Sequence, residues 1–434
     1  MPMLHRALAA FLVLALQAPP AAAQLTVQIL RGMAEAVPIA VVPFDWKSDG
    51  AAHWDVAATV QADLERSGRF RPLARAQMLE FPHEAAAVDA TDWRMLKVDY
   101  VVVGRLQQLS DARYEIRYEL VQVATGERLL GATMPADRNA LRLASHRVAD
   151  AVYERILGVR GAFATRIAYV AVEGPADSRN YRLVVADADG ANERLVFSSP
   201  EPIMSPAWSP DGRSLAYVSF HGGLPAIYVQ TLRTGGQVRV SARSGINSAP
   251  AWSPDGSQLA VALSRRDGNV DLYLLSLATQ DLRRLTDDPA IDTEPAWTPD
   301  GRALYFTSDR SGGPQVYRMG TGAGDRPRRI TFEGSYNARP RVSPDGREIV
   351  VVTIDRGAYR IAAVDAERGT MRVLSGGRLD ESPSFAPNGA DVIYAAREGG
   401  RGVLAVVSID GRIQQRLAAS AGQVREPAWS PFLH

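Results

Sequence analysis

Ser205-Pro-Ala-Trp-Ser-Pro-Asp-Gly212, followed by the alternating run Ser214-Leu-Ala-Tyr-Val-Ser219, is the stretch that decides the fold. It returns as Ser248-Ala-Pro-Ala-Trp-Ser-Pro-Asp-Gly256 and as Thr293-Glu-Pro-Ala-Trp-Thr-Pro-Asp-Gly301. Weaker copies are Arg339-Pro-Arg-Val-Ser-Pro-Asp-Gly346 and Ser382-Pro-Ser-Phe-Ala-Pro-Asn-Gly389, and a truncated one, Glu426-Pro-Ala-Trp-Ser-Pro431, stands near the end. The second proline of the copies falls at 210, 254, 299, 344, 387 and 431, a step of 43 to 45 residues. Such a step is the signature of a repeat architecture. Ser-Pro-Asp-Gly suits a type I turn, with proline presetting φ at the second position and glycine fitting the fourth. Each copy therefore predicts a hairpin, and two further strands fit before the next copy, as in Ala226-Ile-Tyr-Val-Gln-Thr-Leu232 and Gln237-Val-Arg-Val-Ser241. Four strands in about 44 residues make one blade of a β-propeller.

The ends of the array fix the blade number. Six copies of the Pro-Ala-Trp strand occur, at Trp208, Trp252, Trp297, Val342, Phe385 and Trp429. The first set of subsequent strands, from Arg166-Ile-Ala-Tyr-Val170, has no such strand before it, and the strand at Trp429 has nothing after it. The two incomplete pieces make one blade. An all-β six-bladed propeller closed by pairing of C-terminal and N-terminal strands is predicted over 161–434, since closure removes exposed sheet edges.

Upstream, Met1 to Ala23 has a basic start at Arg6, an apolar run from Ala7 to Leu16 and small residues before Gln24, the pattern of a cleavable secretory signal peptide. That run is too short to span a bilayer permanently, so periplasmic export without membrane insertion is expected. No cysteine occurs anywhere, which excludes disulfides, lipid attachment through cysteine and thiolate chemistry. Loss of Arg6 with the leader leaves acidic and basic residues equal in number, which argues against nucleic acid as a partner.

Residues 24–33 alternate like a strand, either an edge strand of the neighbouring domain or a mobile strand able to pair with another protein's sheet. Residues 34–160 predict an α+β domain with a mixed sheet. Pro38 to Phe44 and Tyr100 to Gly104 are buried strands, and Tyr114, Ile116, Tyr118 and Leu120 alternate with charged residues. Val56, Val60 and Leu64 mark a helix stopped at Gly68, and Leu141, Ala144, Val148, Val152 and Ile156 a longer one ended by Gly158. Sheet on one side and helices on the other is the simplest layout.

Motifs for side-chain catalysis are missing. There is no Gly-x-Ser-x-Gly elbow, no P-loop and no His-Glu-x-x-His, and Gly320-Thr-Gly-Ala-Gly324 has the wrong spacing for a dinucleotide turn. The residues that lead into the inner strands are the candidate site: Met204, Ser205, Asn247, Ala249, Thr293, Glu294, Asn337 and Glu381, with Asp380, Ser382, Arg425 and Glu426 beside them. They are ordinary loop composition, or else an acidic binding mouth able to accept a basic loop or a hard cation such as Ca²⁺.

The order of parts resembles the TolB family, periplasmic components of the Tol–Pal system of Gram-negative bacteria. The matching stretches are Pro38 to Phe44, Gly161-Ala-Phe-Ala-Thr-Arg-Ile-Ala-Tyr-Val170, Met204 to Gly212, Asp292-Thr-Glu-Pro-Ala-Trp297 and Leu379-Asp-Glu-Ser-Pro383. The resemblance implies a non-enzymatic adaptor without a cofactor. Its propeller mouth (Met204, Asn247, Ala249, Thr293, Glu294 and Glu381) would bind the lipoprotein Pal, and Gln24, Leu25, Thr26, Val27, Gln28, Ile29, Leu30 and Arg31 would bind the C-terminal domain of TolA. It further implies a role in outer-membrane constriction at division and in envelope integrity, with colicins competing for the mouth. Ile246 stands where family members can carry histidine, so complementarity there would come by apolar contact. The alternatives are a propeller enzyme with a channel metal, of lactonase or dehydrogenase type, and a glycan-binding module.

Overall fold

The computed structural model describes residues 25–31, 36–175, 177–264, 268–419 and 422–433, with the backbone alone for 25–31 and 418–419. The expected signal peptide and Gln24 lie outside the described residues.

The N-terminal domain is built on a mixed sheet. Its strand order is Phe70–Pro72, Val37–Val41, Tyr100–Ser110, Arg113–Gln122 and Glu127–Asp137, with Asp45–Trp46 paired to the far end of Tyr100–Ser110. The first three and Asp45–Trp46 pair in parallel, and the remaining neighbours pair antiparallel. Helix α1, Val56–Arg66, starts at Asp55, whose carboxylate accepts the Ala58 N–H at 2.8 Å. Helix α3, Leu141–Leu157, ends where Gly158 turns left-handed at φ 73°. Both pack their apolar stripes on one face of the sheet.

The other face is covered too, contrary to the one-sided layout expected. Helix α2, Ala90–Met95, lays the fully buried Trp93 over Ala40, Val42, Val101 and Val103. The cause is visible in Tyr100–Ser110, where Val101, Val102 and Val103 are consecutive and all buried, so the strand has no solvent-tolerant side.

The propeller has six blades. The first is Arg166–Glu173, Asn180–Asp187 and Arg194–Ser199, completed on its inner side by Gln423–Trp429 antiparallel to Arg166–Glu173. C-terminal and N-terminal strands thus close the ring as the broken repeat predicts. The inner strands of blades two to six are Ile203–Trp208, Asn247–Trp252, Asp292–Trp297, Asn337–Val342 and Glu381–Phe385. In the first complete copy Gly212 donates to Ser209 O at 2.9 Å with φ 67°, and the Asp211 carboxylate accepts from the Ser209 hydroxyl and the Arg213 N–H. That is a type I turn ending in a left-handed residue.

The repeat tryptophan ties blades together. Indole N–H groups of Trp208, Trp252 and Trp297 donate to the carbonyls of Ala428, Ala207 and Ala251 on the preceding inner strand, at 3.0, 3.1 and 3.1 Å. At the seam Trp429 instead donates to Thr165 Oγ1 at 2.8 Å.

Polar contacts join the halves of the molecule. Asp150 on α3 accepts the Phe163 and Ala164 N–H groups of the connecting segment at 2.7 and 3.2 Å. Arg142 on α3 pairs with Asp189 and Arg69 with Asp410, both carboxylates belonging to the propeller. The strand Leu25–Arg31 pairs antiparallel with Gln414–Ala419, the outermost strand of the sixth blade, and makes that sheet five-stranded.

Candidate functional site: the propeller mouth

Each inner strand begins at the mouth and is broken after its first residues by a bulge. The residue before the first proline of each repeat turns left-handed there: Ser205, Ala249, Glu294, Arg339, Ser382 and Glu426, with φ between 49° and 55°. None is glycine, so the conformation carries strain at all six places. Proline at the next position has no N–H to offer a ladder. The bulge turns the backbone at the point where six strands converge on the axis.

One side chain bridges this ring. The Arg339 guanidinium donates to Glu294 Oε1 at 2.9 Å, to Glu426 Oε1 at 3.3 Å and to the Ser382 hydroxyl, linking blades four, five, six and one. Glu294 Oε2 also accepts the Arg339 N–H at 2.9 Å and the Thr307 hydroxyl at 2.8 Å, and Glu426 Oε2 accepts the Ser205 N–H at 3.3 Å. Burial would lower the pKa of Arg339, but Glu426, Glu294 and Glu381 outweigh it and push the value up. The mouth is closed by an internal ion network.

The residues singled out in the sequence therefore take different parts. Ser205, Ala249 and Glu294 belong to the ring of bulges. Asn247 and Asn337 are fully buried. Asn247 Oδ1 accepts the Ser241 hydroxyl and the Arg243 N–H, while its amide donates to the Arg243 carbonyl. The Asn337 amide likewise donates to Gln315 Oε1 and the Glu333 carbonyl. These asparagines clamp the loops that precede their strands and shape the mouth from below. Thr293 is half-buried beside Glu294, and Glu381 lines a side notch with Arg179, Arg397 and Arg425. Met204 reaches solvent at 37 % exposure.

Of the apolar rim, sequence reasoning singled out Met204 and Ile246 and missed the rest. Ile246 (44 % exposed), Ile291 (49 %) and Phe332 (68 %) stand in the loops leading to three inner strands, and Leu224 and Tyr359 are exposed at the same end of blades two and five. With Met204 they spread apolar surface around the mouth. For Ile291, Phe332, Leu224 and Tyr359 the only signal in the sequence was an apolar side chain inside an otherwise polar loop, which is common and uninformative by itself.

As a place for Ca²⁺ the mouth fits poorly, because Glu294 and Glu426 are already bonded to the Arg339 guanidinium. Among the described residues, one set of potential metal ligands lies close together: the buried Asp63 and His146 of the N-terminal domain and the half-buried Asp189 of the propeller. There Asp63 is held by Arg66 at 2.8 Å and Asp189 by Arg142.

Comparison with known proteins agrees with this architecture along the whole chain. A family model described as the TolB beta propeller domain matches residues 153–433, and one described as the TolB amino-terminal domain matches residues 25–129. The Tol-Pal system protein TolB of Xanthomonas oryzae pv. oryzae (strain PXO99A) is 51 % identical over 432 residues, 98 % of each chain. Its counterpart in Xanthomonas euvesicatoria pv. vesicatoria is 51 % identical over 411 residues, 94 % of this chain and 93 % of the relative. The crystal structure of TolB from Acinetobacter baumannii superposes with a TM-score of 0.87 at 41 % identity, covering 94 % of this chain and all of that one.

Proposed function

The chain belongs to the TolB family, and from that premise we propose that it is a non-enzymatic periplasmic adaptor of the Tol–Pal system, binding Pal at the propeller mouth and TolA through Gln24 to Arg31. In this role it supports outer-membrane constriction during division and envelope integrity. The observation that carries the reading is the mouth itself: an apolar rim around a charge network that is internally satisfied. Such a surface favours burial of a complementary protein face, with apolar anchors supplying affinity. Among the described residues no helix is long and apolar enough to cross a membrane.

The N-terminal half of the proposal has a backbone rationale. Leu25–Arg31 already occupies the outer edge of the sixth blade by strand addition, and the same strand can serve a partner's sheet edge only when it leaves. Removal of residues 24–31 is expected to abolish TolA binding while leaving Pal binding intact or tighter. Weaker Pal binding on removal counts against exchange of one strand between two places.

Calorimetric titration with purified Pal tests the mouth. Ile246→Glu and Phe332→Glu should each weaken binding at least tenfold with the melting temperature unchanged. Glu294→Lys is a poorer probe, because it also removes the partner of Arg339. Equal affinity of the two rim variants and the wild type would move the Pal site elsewhere. The channel-metal enzyme gains no support from Glu294 and Glu426, which are held by the Arg339 guanidinium.

A further inference from the structure

Behind the Arg339 ring, the axis of the propeller holds an open cavity of about 490 Å³, lined by Trp208, Trp252, Trp297, Phe385 and Trp429 and by the prolines of the repeat turns. At the position just before the repeat aromatic, the inner strands carry Ala207, Ala251, Ala296, Arg341, Ser384 and Ala428. Five of these are small and uncharged. The sixth brings a guanidinium to the cavity wall. Arg341 Nη1 donates to the Pro340 carbonyl at 2.8 Å, and among the described residues Arg341 forms no ion pair. Two carboxylates stand nearby, Glu294, which also lines the cavity, and Glu426, and both are bonded to the Arg339 guanidinium. Burial, and the Arg339 cation beside it, lower the pKa of Arg341 against the pull of Glu294 and Glu426; an arginine nonetheless stays protonated.

We propose that this cavity binds a small carboxylate with an apolar body, the carboxylate on the Arg341 guanidinium and the body against the aromatic and proline walls. The chemistry is that of an arginine fork, whose planar donors match a carboxylate, facing walls of apolar character. The volume falls within the usual range for small-molecule sites, which are mostly apolar with few polar anchors. Indole N–H groups of the lining tryptophans are committed to neighbouring carbonyls and to Thr165, so their rings offer apolar contact. A half-buried guanidinium that forms no ion pair of its own gains from an anion that brings it a hydrogen-bonded counter-charge. Arg341 comes two residues after Arg339 on one strand, so the ligand lies directly beneath the ring that closes the mouth. The inference stands apart from the adaptor reading, since it concerns the inside of the channel and not its rim.

Calorimetry on the full mature protein, with benzoate, acetate and inorganic phosphate as separate probes, tests it. Benzoate is expected to bind saturably at one site, acetate more weakly, and phosphate least. Arg341→Gln should weaken benzoate at least tenfold. Ala207→Leu, which keeps the arginine and fills the wall opposite, should do the same, and it carries the test if Arg341→Gln fails to fold. Benzoate binding unchanged in a folded variant, phosphate binding more tightly than benzoate, or no saturable heat with the wild type would each overturn the proposal.

Discussion

Trp252 sends its indole N–H across a blade boundary to the Ala207 carbonyl at 3.1 Å. Trp252→Phe keeps most of the apolar ring and removes the donor, leaving a half-buried carbonyl without its partner. A loss of about 1–3 kcal/mol is expected in urea denaturation. Strain at the bulges gives the opposite sign elsewhere. Ala249 has φ 49°, a region that costs an L-residue about 1–2 kcal/mol, so Ala249→Gly is expected to raise stability by up to about 1 kcal/mol after the added freedom of the unfolded chain is set against it. Asp150 supplies a pH dependence. Burial raises its pKa to about 6 against the pull of the Phe163 and Ala164 N–H groups. A folded value above the unfolded one means that its contribution is fully present below the ordinary pKa of 3.8 and is lost as pH rises through 6. The stability of the wild type relative to Asp150→Asn should therefore fall by roughly 3 kcal/mol between pH 4 and 7, read from urea midpoints of both proteins; a constant difference would contradict the assignment. Little of this was legible in the sequence, because Asp150 looks like any polar residue on an amphipathic helix until the connecting segment folds back onto it.

At the scale of elements, the hairpins were legible and the short helix was not. Ser-Pro-Asp-Gly holds its own conformation: proline restricts φ, Asp211 bonds within four residues, and Gly212 takes φ 67°. Helix α2, by contrast, has only six residues, too few for a hydrophobic period, and stands because Trp93 fills the far face of the sheet. The strand Leu25–Arg31 shows the same contrast. Its alternation marks a strand, but nothing in it names the partner. Pairing with Gln414–Ala419 protects backbone groups that would otherwise be an open edge of the sixth blade. Deleting residues 24–31 should accordingly speed hydrogen exchange across 414–419 at least tenfold and leave the inner strand Glu381–Phe385 unchanged; equal protection in both proteins would show that this edge does not depend on the pairing.

At the scale of the whole molecule, polar contacts help to hold the two domains together. Asp189 of the propeller receives Arg142 from α3, with His146 Nε2 at 3.9 Å. Asn388 of the propeller donates to the Arg160 carbonyl in the connector at 2.9 Å. Asp189→Ala leaves Arg142 without this acceptor and should loosen the pairing of the domains. Tryptic cleavage after the exposed Arg160 is then expected to accelerate several-fold with the propeller still folded by circular dichroism; an unchanged rate would show that the other contacts hold the domains on their own.

The sequence by itself determined the propeller, its six blades, the closure at Trp429, the mixed sheet before it and the place of the mouth, because turns and periodic strands are written in local interactions that repeat. Only the tertiary structure decided what the mouth is made of. Glu294 and Arg339 lie 45 residues apart in the chain and meet on the axis. Asn247 and Asn337 turn inward, and Ile246, Ile291 and Phe332 are left exposed in the loops leading to three successive blades. Whether a polar side chain is offered to a partner or consumed inside depends on which groups from other blades converge on it, and that convergence is a property of the closed ring.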